Sequence, residues 1–79
     1  MANHWRKDLT APIVLNGGTR LNTFLEAGEF IDANCRTLDG AALQYTIELL
    51  MQAAETGSVY DRNAATEQLR SFLSVHRWL

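Results

Sequence analysis

The chain has one cysteine, one proline and no long hydrophobic run, and each of these shortages excludes something. Cys35 has no second thiol to pair with inside the chain, so the staple of small secreted domains is missing and a reducing, cytoplasmic setting is expected. One cysteine and two histidines supply no zinc-ligand spacing. No stretch approaches the roughly 18 consecutive apolar residues of a membrane helix. The first residues, Met1 to Asp8, contain no apolar core of a secretory signal. The only glycine-rich turn, Asn16-Gly17-Gly18, lacks the GxxxxGK[ST] pattern and leads into strand-like rather than helical residues, so a phosphate loop is not expected.

What is present is an ordinary folded-protein composition: 79 residues, 47% apolar and 20% charged. One small domain over residues 1–79 follows, with the polar end, residues 1–10, expected to fray. A chain of this length buries only about 60% of the surface its unfolded form exposes. With disulfide and metal staples gone, self-association is the leading source of added stability. Charge is unevenly spread. Residues 21–60 carry Arg36 against Glu26, Glu29, Asp32, Asp39, Glu48 and Glu55, while both ends are mildly basic. Solvated helix faces explain this pattern, and a nucleic-acid footprint would need more cations on one face.

Strand-favouring residues on either side of Asn16-Gly17-Gly18 predict a hairpin over 12–15 and 19–22, closed by a type I′ turn in which both central residues have φ > 0. Thr23-Phe24-Leu25-Glu26 matches a capping box and opens a helix over 24–35, with Phe24, Ala27, Gly28, Ile31 and Cys35 on its apolar face. Gly28, a poor helix former, is expected to admit another backbone. Asp39 is the expected N-cap of a second helix ending at Gly57. Its polar positions, Gln44, Glu48, Gln52 and Glu55, form one narrow stripe, so it is expected to pack on more than one side. Asp61 is the expected cap of a third helix over 62–77. There Ala65, Leu69, Phe72, Leu73 and His76 face inward, Thr66 faces outward, and Trp78 and Leu79 close over apolar surface. The fold class is therefore α+β, a β-hairpin followed by three α-helices.

No side chain commits the chain to catalysis. Cys35 falls at a helix C-terminus, where the negative dipole end disfavours thiolate. His76 reads as packing. The carboxylates Glu26, Glu29, Asp32, Glu48 and Glu55 lie on wet faces, without the burial that separates the pKa values of a working pair. If Met1 is removed, the Ala2-Asn3-His4 end could wrap Cu(II) or Ni(II) in a square-planar site, though a single histidine meets that requirement by chance. No cofactor is expected. A two-stranded hairpin is marginal alone and leaves open edges, so a homodimer formed by pairing hairpins is expected. The interface candidates are Ile13 and Leu21 on the hairpin and Tyr45 and Leu49 on the central helix.

Several residues follow the order seen in short α-proteobacterial proteins. They are an aromatic ahead of Pro12-Ile13-Val14, a glycine turn, Thr23…Glu26-Ala27, Gly40 before an Ala/Leu helix, Glu55-Thr56-Gly57 after it, and Ala65…Phe72. Over roughly Trp5 to Leu73 the chain resembles the domain-of-unknown-function 982 family. It departs from that pattern at Asn34-Cys35-Arg36, where a Trp-Pro pair is expected. The resemblance implies a small cytoplasmic α+β protein and supplies no activity, ligand or site. The reading reached from sequence is a non-catalytic interaction or regulatory module, dimeric or with a protein partner. The alternative is a nucleic-acid-associated regulator using Arg62, Arg70 and Arg77 of the last helix.

Overall fold

A computed structural model describes residues 4–34 and 40–79. Two antiparallel strands, β1 (Asp8–Val14) and β2 (Arg20–Thr23), are followed by α1 (Phe24–Asn34), α2 (Ala41–Thr56) and α3 (Val59–Val75). The architecture is the α+β order expected from sequence.

Strand β1 starts at Asp8, four residues earlier than predicted, because the residues before it are tied down. The His4 N–H donates to the Ala54 carbonyl (3.0 Å), and the carbonyls of Trp5 and Lys7 accept from Leu25 (2.8 Å) and Phe24 (3.1 Å). Residues 4–10, expected to fray, are thus a turn and the first half of β1. Leu9, Ile13 and Leu15 are buried while Asp8, Thr10, Pro12 and Val14 are exposed, the period-two pattern of a half-buried strand. Pairing of Ile13 with Leu21 and of Val14 with Arg20 sets the register, which shifts before Asp8 meets Thr23. The turn is wider than type I′. Leu15 accepts from the Gly18 N–H (2.9 Å) and donates to the Thr19 carbonyl (2.7 Å). Only Gly18 (φ 90) takes positive φ; Asn16 and Gly17 do not. One left-handed glycine suffices when the loop is longer than two residues.

Helix α1 begins on the predicted capping box. The Thr23 hydroxyl accepts from the Glu26 N–H (3.1 Å), and Glu26 Oε1 accepts from the N–H groups of Thr23 (3.0 Å) and Asn22 (2.9 Å). Cys35 and the predicted Asp39 cap lie outside the described residues; the cap position of α2 is Gly40, which makes no side-chain cap bond. Helix α2 ends on Gly57 in the left-handed conformation (φ 66), as its glycine predicted.

Helix α3 starts three residues earlier than predicted. Its cap is Ser58, whose hydroxyl accepts from the Asp61 N–H (3.1 Å), and the Asp61 carboxylate accepts from the Thr56 hydroxyl (2.6 Å). Thr66, predicted to face outward, is buried. Its hydroxyl donates to the Arg62 carbonyl (2.8 Å) and accepts from the Thr10 N–H (3.1 Å), so both of its polar functions are met inside the protein. At the C-terminal end, Trp78 N–H reaches the Leu73 carbonyl and Arg77 N–H the Ser74 carbonyl, a Schellman arrangement with Arg77 in the left-handed position (φ 65). Trp78 then lies edge-on to Phe30, with centroids 5.0 Å apart, as the expected lid.

One core joins the inward residues of the hairpin to Phe24, Ala27 and Ile31 of α1, Leu50 and Ala53 of α2, and Ala65, Leu69, Phe72 and Leu73 of α3. Full burial of a leucine or phenylalanine contributes roughly 1.5–3 kcal/mol. The layers are unequal: α2 packs extensively on α3 and only lightly on α1. A groove opens between α1 and α2 as a result.

Candidate functional site

The groove has a volume of about 480 Å³. Ile31 of α1 and Leu43, Ile47, Leu50 and Met51 of α2 line it, together with Trp5. Gly28 lies where α1 turns toward α2 but has no side chain to fill the gap. The Trp5 ring comes within 3.4 Å of the place its Cβ would take. The close approach predicted at Gly28 is therefore made by an aromatic side chain and not by a backbone. Because Trp5 is bonded to the start of α1, and His4 to the end of α2, the indole closes one end of the groove.

On α2, Ile47 is 37% exposed and Met51 54% exposed. The helix is thus not wrapped on all sides; Ile47 and Met51, the two of its open apolar positions that line the groove, are neighbours along it. Tyr45, 53% exposed, points elsewhere, about 160° round the helix from Ile47 at 3.6 residues per turn. Leu49 is half-buried and packs against the core.

Two of the predicted interface residues are not on the surface. Ile13 and Leu21 are 2% and 3% exposed and belong to the chain's own core. The hairpin edges are also less open than expected. Along β1 the Thr10 N–H is taken by Thr66, and Arg62 Nη2 donates to the Asp8 carbonyl (3.1 Å). Pro12 has no N–H to offer. On β2 the Asn22 N–H is held by Glu26. Side chains from α3 and α1 thereby occupy positions that a second hairpin would need.

The remaining candidates are scattered. The His4 amide is bonded to Ala54 and the imidazole lies against Gly57, whereas a square-planar N-terminal site needs that amide nitrogen and ring on the metal. Among the described residues no group of three His, Cys, Asp or Glu side chains could hold a metal ion. His76, predicted on the apolar face, is exposed at the C-cap of α3, with its ring 4.4 Å from that of Phe72. Arg70 pairs with Glu67 (3.0 Å), Arg62 is tied to β1, and Arg77 sits in the terminal turn. Glu26 is held below the usual glutamate range by the N–H groups of Asn22 and then Thr23. It is a helix cap rather than half of an acid pair.

No helix among the described residues is long and apolar enough to cross a membrane. No family model, curated protein or solved structure matches the chain. The resemblance to the domain-of-unknown-function 982 family therefore rests on the residues that carry it. Sequence reasoning missed the groove, although Gly28 on an apolar face was its signal.

Proposed function

We propose that this protein is a small interaction module that works by holding another polypeptide against the α1/α2 groove, without catalysing a reaction. The observation that carries this reading is the exposure of Ile47 and Met51 side by side on a groove already floored by Ile31, Leu43 and Leu50. Contiguous apolar surface on a small domain marks a place where something binds. The setting we infer is cytoplasmic, from the lone cysteine.

A second copy of the chain is one such polypeptide. With the hairpin edges engaged by α1 and α3, a homodimer would form through this groove. Sedimentation over a wide concentration range, on the wild type and on Met51→Glu, reads self-association directly. In cells, a photo-crosslinker placed at Met51 should capture protein, whereas one at Ser71, on the outer side of α3, should not. A monomer at all concentrations that yields no position-51 adduct would sink the interaction reading. Of the three arginines on which the nucleic-acid alternative rests, Arg62 and Arg70 are already engaged and Arg77 is exposed.

A further inference from the structure

The groove is mostly apolar, but the two helices that wall it carry charge of one sign. Helices α1 and α2, residues 24–34 and 41–56, hold Glu26, Glu29, Asp32, Glu48 and Glu55 and no lysine or arginine. Residues 35–39 between them add one arginine and one aspartate, which leaves that balance unchanged. Glu26 is committed to the cap of α1, and Asp32 has an interaction of its own. Glu29, Glu48 and Glu55 are exposed and enter no ion pair among the described residues. At 3.6 residues per turn, Glu48 and Glu55 lie on the solvent side of Ile47 and Met51, and Glu29 lies on the solvent side of Gly28. Both rims of the groove are therefore acidic.

The chain itself shows what suits this setting. The indole that closes the groove belongs to Trp5, and the next two residues, Arg6 and Lys7, are exposed cations. An aromatic anchor is already seated at one end, and the two residues that follow it in the chain are cations. The rest of the groove, where Ile47 and Met51 lie open, has no such occupant among the described residues.

We propose that the α1/α2 groove docks a cationic amphipathic helix of a partner protein, its apolar face on Ile47 and Met51 and its lysines or arginines against Glu29, Glu48 and Glu55. This deepens the interaction-module reading and rests on it. A helix fits better than a strand, because the groove is walled by two helices and offers no open strand edge; a helix laid in an apolar groove is a common mode of recognition. A second copy fits poorly, because it would bring a like-charged rim against this one. Opposite charge across the rim speeds encounter and rejects wrong partners, while the apolar contact supplies most of the affinity.

The test is calorimetric titration of the full chain with two designed probes, a leucine/lysine amphipathic helix of about four turns and its leucine/glutamate twin. The lysine helix should bind, more weakly as salt rises, and the glutamate helix should not. Ile47→Ser with Met51→Ser should abolish binding. Glu48→Lys with Glu55→Lys should weaken it about tenfold at low salt, the scale expected when exposed charge pairs are reversed. Glu67→Lys, a single charge reversal on α3 away from the groove, should leave binding unchanged. Thermal melts of each variant verify that it is folded.

Failure of the lysine helix to bind overturns the proposal. So does equal binding of both helices, or lysine-helix binding that survives the double serine variant or responds equally to Glu67→Lys. If the glutamate helix binds in a serine-sensitive way, the charge assignment fails and the interaction module stands. If sedimentation shows a dimer through this face, the occupant is a second copy and the cationic partner is ruled out. If neither helix binds and position 51 captures nothing, both readings fall.

Discussion

Gly57→Ala tests whether the N-terminal segment is held as the structure shows. Gly57 has φ 66, and a Cβ there would lie 2.9 Å from His4 Cγ and 3.0 Å from Cδ2 and Cε1. Two costs combine. A left-handed backbone costs a residue with a Cβ roughly 1–2 kcal/mol. Relief of the contact requires the imidazole to move, yet the His4 N–H is bonded to Ala54, and losing such a bond costs about 0.5–1.5 kcal/mol. The expected destabilisation is about 2–3 kcal/mol, a fall of roughly 10–20 °C in melting temperature for a domain of this size. Gly18→Ala is the control. It shares a positive φ (90) but meets nothing within 4 Å, so it should lose only about 1–2 kcal/mol. In a His4→Gly background the Gly57→Ala penalty should fall to the Gly18 value. Urea denaturation of the four variants closes the cycle. Equal losses for Gly57→Ala and Gly18→Ala, or a penalty indifferent to residue 4, would refute the reasoning. The result bears on function, because His4 sets the chain that places Trp5 at the end of the groove.

Three other outcomes are expected. Leu49→Glu, which forces a charge into half-buried packing, should lose about 1–3 kcal/mol, while Met51→Glu should stay within about 0.5 kcal/mol, as read by denaturant midpoints. Equal effects at the two positions would contradict the assignment of Met51 to open surface. Glu26 has a lowered folded-state pKa, so between its folded and unfolded values the unfolded chain binds more protons. Its contribution is therefore present above the unfolded pKa and is lost as pH falls through the folded one. Glu26→Gln should flatten the acid limb of a stability–pH profile by lowering stability at neutral pH, with the difference from the wild type vanishing below the folded pKa. Arg77→Gly should raise stability by about 0.5–1 kcal/mol, because Arg77 occupies a left-handed cap position (φ 65) that glycine adopts without strain. A lower melting temperature for this variant would mean that the arginine side chain matters more than its backbone.

The parts of this protein that were legible in its sequence are those decided within a few residues. Thr23 and Glu26 meet because a helix start brings cap and third residue together. Gly57 ends α2 because few other residues enter the left-handed region cheaply. The spacing of Ala65, Leu69, Phe72 and Leu73 is enough to mark the inward face of α3. The order of hairpin and three helices follows from such local signals.

The rest was decided between distant segments. Thr66 looks like a surface residue until β1 presents the Thr10 N–H to its hydroxyl. Pro12 looks like a strand start until α3 is found bonding the edge on which it sits. Ile13 and Leu21 look available for a partner until α1 and α3 close over them. Above all, the apolar breadth of α2 set only how much surface needed cover. Which part stays open was decided by α2 packing on α3 more than on α1, and by Trp5 filling the gap left by Gly28. These are contacts between segments distant in the sequence, where cost and gain depend on the whole packed chain. The groove with Ile47 and Met51 at its mouth is a property of tertiary structure, whereas its acidic rim was written in the sequence from the start.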